Sequence, residues 1–143
     1  MSKYEGRKAI ANISQEAAFD KISDVKAIQS RLDSLPEDKR AQLQGISFEE
    51  NALKISSPMG ELKFVAKECV RPERVAFEAE GAPIPITVAI NLNAESATTT
   101  GLSVVIEADL PFFLKAMVGG KLQDAVDKMS IGFAEAISEH PQQ

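Results

Sequence analysis

The chain has 143 residues, 44% of them hydrophobic and 26% charged, which suits one core in one domain spanning residues 1–143. Its net charge of -5 supplies no basic footprint for nucleic acid, and no apolar run approaches the ~20 residues of a membrane-spanning helix. The opening Met1-Ser2-Lys3-Tyr4-Glu5-Gly6 lacks the apolar centre of a signal peptide, so a cytoplasmic location is expected, and Cys69, the sole cysteine, excludes an internal disulfide.

Tyr4 to Ile13 reads as a first strand, without a turn signal. Ser14 then offers an N-cap, with Glu16 in the first turn and Ala17, Ala18, Phe19 and Ile22 on a short helical face. Asp24 can cap a second helix that carries Val25, Ile28, Leu32 and Leu35. Ser34-Leu35-Pro36-Glu37 fits a capping box for a further helical turn from Pro36 to about Ala41.

From Leu43 the apolar period changes to two. Ile46 and Phe48 precede a turn at Glu50-Asn51, and Leu53 and Ile55 precede one at Ser57-Pro58-Met59-Gly60. Leu62, Phe64 and Ala66 run up to Arg71-Pro72-Glu73, and Val75, Phe77 and Ala79 run up to Gly81-Ala82-Pro83. Ile86, Val88, Ile90 and Leu92 form one more strand, and Thr99, Leu102, Val104, Ile106 and Ala108 the last. Successive short strands with brief connections predict an antiparallel meander with one inward face. Pro111 to Glu139 then reads as a single helix with a stripe at Leu114, Val118, Leu122, Val126, Met129, Phe133 and Ile137. With no helical partner of similar length, this stripe must pack on the sheet. A long sheet twists and curls, and an apolar hollow remains wherever it parts from the helix.

The order of strand, short helices, six strands and long helix resembles the helix-grip fold of the START/Bet v 1-like (SRPBCC) superfamily. Ser14-Gln15-Glu16-Ala17-Ala18-Phe19-Asp20-Lys21-Ile22-Ser23-Asp24 is similar to that superfamily's helix pair after strand one. Phe113-Leu114-Lys115-Ala116-Met117-Val118-Gly119-Gly120-Lys121-Leu122 is similar to the start of its C-terminal helix. The resemblance implies an α+β fold: a curled seven-stranded antiparallel sheet wrapped around the long helix, with two short helices after strand one. It further implies a cavity for hydrophobic small molecules such as lipids, sterols, polyketides or isoprenoids. The branch it suggests is the small bacterial group of polyketide cyclase/dehydrase-like and lipid-transport-like proteins. It carries over no catalytic residue, metal, cofactor or oligomeric state.

Catalytic groups are sparse. His140 is the only histidine and sits in the terminal Glu139-His140-Pro141-Gln142-Gln143, a poor position for acid–base work or a triad. A zinc site lacks its ligands. Gly119-Gly120-Lys121 is not a phosphate loop, because the earlier glycine and the following Ser/Thr are absent. Cys69, between Glu68 and Val70, reads as an idle thiol. Glu78 and Glu80 share the polar face of their strand and read as solvated. Tyr4 and Arg7 point to opposite faces of a strand; either could be a polar anchor in a cavity, and a surface role is the expectation for both.

The apolar side is richer. Phe64, Phe77, Val88, Ile90, Val104 and Ile106, with Phe113, Met117 and Val118 at the start of the long helix, are the expected lining of a ligand cavity; the alternative is ordinary core, which must hold for most of them, with the interior fully filled. The expected function is binding of a hydrophobic small molecule without catalysis. The alternatives are a polyketide cyclase/dehydrase-like enzyme, or a protein-interaction module like the co-chaperone relatives of this fold. Gly119 and Gly120 allow either a close approach of the helix to another segment or a hinge for its first turns.

Overall fold

A computed structural model describes residues 2–40, 45–49, 52–57, 60–82 and 84–138. The first strand departs from the continuous run that the sequence suggests. It forms two segments, β1 (Ser2–Glu5) and β2 (Ala9–Ala11), both antiparallel to one later strand. The break has a physical cause at Gly6. The long C-terminal helix α4 (Phe112–Ile137) presses so close that a side chain at Gly6 would overlap the Val126 carbonyl and the Ser130 hydroxyl. The helix then supplies the bonds that the strand gives up. Arg7 N donates to Asp127 Oδ1 at 2.8 Å, and Gln123 Nε2 donates to the Glu5 carbonyl at 2.8 Å. Val104 N donates to Ser130 Oγ at 2.9 Å, and that hydroxyl donates in turn to Val126 O at 2.7 Å.

Helix α1 (Gln15–Ser23) starts where Ser14 accepts from Ala17 N, and it buries Ala18, Phe19 and Ile22. Asp24 separates it from α2 (Val25–Asp33), and the Asp24 carbonyl accepts from Ile28 N at 3.0 Å. The expected extra turn is α3 (Glu37–Arg40); its expected end at Ala41 lies outside the described residues.

Six more strands follow: β3 (Ile46–Glu49), β4 (Ala52–Ser57), β5 (Gly60–Val70), β6 (Arg74–Glu80), β7 (Ile86–Ala94) and β8 (Thr100–Ala108). The turn at Glu50-Asn51 and residues Leu43, Pro58, Met59 and Pro83 lie outside the described residues. All pairings are antiparallel, in the order β1-β8-β7-β6-β5-β4-β3, with β2 beside β8. Eight segments thus fill seven positions.

Register places the apolar alternation on one face. Val88 lies between Phe77 and Ile106, and Ile90 lies between Val75 and Val104. A bulge in β5 between Ala66 and Glu68 adds to the twist. The sheet curls far enough that both ends reach the helices. At one end β8, β1 and β2 pack on α4; at the other β3 packs on α2. Phe48 of β3 meets Phe133 of α4 with ring centroids 5.8 Å apart, and Phe48 N donates to Gln29 Oε1 of α2. The core lies in this concavity. Val126, Met129, Phe133 and Ile137 fill its centre, each contributing roughly 1.5–3 kcal/mol by burial.

Candidate functional site

The candidate site lies where α4 stands over the inner face of the sheet. Phe64, Phe77, Val88, Ile90, Val104 and Ile106 are all buried on that face. The helix stripe divides in two. Val126, Met129, Phe133 and Ile137 are buried, whereas Leu114, Val118 and Leu122 are only partly covered. The cause lies in the anchoring: the bonds from Gln123, Asp127 and Ser130 to the β1–β2 break and β8 all belong to the later turns.

Two expected lining residues are placed differently from the sequence reading. Phe113 and Met117 are 64% and 69% exposed, and Phe112 beside them is 88% exposed. One residue along a helix rotates the side chain by about 100°, so Phe113 and Met117 form their own row beside the one made by Leu114, Val118 and Leu122. Of the three expected helix residues, Val118 alone belongs to the partly covered row. A hollow of about 300 Å³ opens at this end, lined by Ser2, Asp109, Leu110, Phe112 and Lys115. A groove of about 540 Å³ lies at the other end of the helix, beside Ser30, Arg31, Leu35 and Glu135, and contains none of the expected residues.

Tyr4 corrects a second expectation. It is not a surface residue at its tip. In β1 it stands opposite Ile106 and packs against the core, with its hydroxyl buried. No group among the described residues hydrogen-bonds that hydroxyl. Its tip meets α4 at Gly119, where a Cβ would stand 3.2 Å from the hydroxyl oxygen. No local sequence signal joins two residues so far apart in the chain.

No protein-family model matches the chain, and no curated protein matches it in sequence. Solved structures do match in shape. Norcoclaurine synthase from Thalictrum flavum, solved with dopamine and hydroxybenzaldehyde, aligns with a TM-score of 0.71 at 9% identity, over 99% of this chain and 89% of that one. A conserved protein from Geobacillus kaustophilus aligns at 0.62 and 14% identity, over 95% of each chain. A START superfamily protein from Mycobacterium smegmatis aligns at 0.52 and 12% identity, over 90% of this chain and 94% of that one. The chain has the START/Bet v 1-like helix-grip fold.

In this helix-grip fold the described charged groups lie mainly on the outer surface. Glu78 pairs with Lys67, and Glu80 lies 4.0 Å from Lys63, as cross-strand partners on exposed positions. Asp20 accepts from Arg71 at 2.6 Å. That hydrogen bond, with the guanidinium charge, holds the Asp20 carboxyl below the ordinary carboxylate value, in full solvent. Arg71 also covers the Phe19 ring, 5.3 Å from its centroid. Cys69 is a free, exposed thiol. Among the described residues, no three His, Cys, Asp or Glu side chains gather as metal ligands, and no helix is long and apolar enough to cross a membrane. His140 lies outside the described residues.

Proposed function

We propose that the protein binds a hydrophobic small molecule, of lipid, polyketide or isoprenoid kind, between the sheet and the first half of α4. The observation that carries this reading is the divided stripe. Leu114, Val118 and Leu122 continue the row that Val126 to Ile137 bury, yet they stay partly uncovered. Apolar surface left in water forgoes about 25 cal/mol per Å², which a ligand beneath the helix would recover. Phe64, Phe77, Val88, Ile90, Val104 and Ile106 would form the floor and Val118 a wall. Phe113 and Met117 would stand at the entrance. The fold is one in which another protein, norcoclaurine synthase, holds small aromatic molecules.

Titration with a dansylated fatty acid tests the reading. Binding should saturate, and Val118→Asp should weaken it at least about tenfold, because the carboxylate would face apolar surface unpaired. Met117→Asp, on the exposed row, should change it less than about threefold. Absence of saturable binding by the native protein would overturn the proposal. The exposed Phe112, Phe113 and Met117 would then favour the second reading, a protein-interaction surface.

A further inference from the structure

We infer that the ligand is an oxygenated apolar molecule and that Tyr4 recognises its oxygen; this rests on the binding reading above. Tyr4 stands on β1 with its register partner Ile106 beside it, and the next strand adds Val88. Its ring is partly buried against the core, and its hydroxyl is buried with no hydrogen-bond partner among the described residues. Buried hydroxyls are almost always paired in folded proteins, since leaving one unpaired forfeits the bond it made to water. Phenylalanine would fill the same ring space without that cost.

Gly119 points the same way. The helix passes the phenol end where only a glycine leaves ordinary clearance, since a Cβ would crowd the oxygen at 3.2 Å. Helix and tyrosine therefore meet at the polar atom, beneath the partly covered turns of α4. Strand neighbours there, Ile106 and Val88, offer hydrocarbon only. A carbonyl, ester or hydroxyl oxygen arriving with the ligand would pair with the Tyr4 O–H, while the rest of the molecule contacts apolar side chains. A pure hydrocarbon would leave the hydroxyl unpaired. The recognised class is thus a ketone-, ester- or alcohol-bearing apolar molecule, selected over hydrocarbons of equal size.

The test compares 2-acetylnaphthalene with 2-isopropylnaphthalene, which match in shape and differ in the carbonyl. Both are titrated against the native protein and Tyr4→Phe, and thermal midpoints of the unliganded proteins are recorded. Tyr4→Phe should weaken the ketone about tenfold, leave the hydrocarbon unchanged or tighter, and leave the midpoint unchanged or higher. Retained ketone affinity in the variant would overturn the inference while leaving the binding reading intact. A lowered midpoint would also overturn it, because the hydroxyl would then serve the fold itself. If neither compound nor the dansylated fatty acid binds the native protein, the binding reading fails and this inference falls with it.

Discussion

A methyl group at Gly6 would overlap the Val126 carbonyl and the Ser130 hydroxyl, and neither has room to move, since both bond within the core of the contact. Gly6→Ala should therefore lower stability by roughly 2–3 kcal/mol in urea denaturation, the usual cost of forcing extra volume into packed structure. Ser130→Ala should cost about 1–3 kcal/mol, since Val104 N would lose its buried partner. A neutral result at both positions would mean that α4 does not rest on this seat. The continuous first strand read from Tyr4 to Ile13 passed over Gly6, although glycine inside a strand pattern signals a close backbone approach. What approaches was not legible, because Val126 and Ser130 are more than a hundred positions away. Tyr4 failed for the same reason. Strand alternation could set its face but not the helix above it.

The two adjacent glycines of α4 have different surroundings. The helix runs unbroken through both. Gly119 faces the Tyr4 hydroxyl, whereas a Cβ placed on Gly120 would meet nothing within 4 Å. Close packing thus accounts for Gly119 and leaves Gly120 as the one position still open to a hinge. Gly120→Ala should raise stability by about 1 kcal/mol through helix propensity alone. Gly119→Ala should gain less, or lose, because Tyr4 must shift by tenths of an ångström. Equal gains in thermal denaturation would contradict the contact. Element identities were readable from period alone. Phe64, Phe77, Val88, Ile90, Val104 and Ile106 all came out buried because two-residue alternation fixes a face once one side is inward. Phe113 and Met117 did not, because a second apolar row looks the same in sequence whether or not anything covers it.

Across the whole molecule, α4 joins a tightly seated half to a loosely covered one. Amide hydrogen exchange should follow that division, faster over residues 114–122 than over residues 126–137, and a bound ligand should slow the first group selectively. At a concentration about a hundredfold above its Kd, such a ligand should add about 2.7 kcal/mol to stability. Uniform protection along the helix would count against a separable first half. The wrap of sheet around helix was legible, since a long stripe without a helical partner has only the sheet to bury it. Which half would be seated was not, because that depends on side-chain bonds such as Asp127 to Arg7 N. Those bonds have a consequence for behaviour in concentrated solution. Among the described residues the curled sheet does not close into a barrel, so its two outermost strands present backbone groups to which another molecule's strand could attach. At one border the run is cut into pieces of four and three residues, and α4 occupies the Glu5 carbonyl and Arg7 N with side chains from Gln123 and Asp127, while Ser138 just beyond it takes Asn12 N. The opposite border, β3, has four described residues, Ile46–Glu49. The break that seats the helix therefore also denies a template for edge-to-edge polymerisation, so the sheet can stay curled around α4 without inviting fibrous self-association.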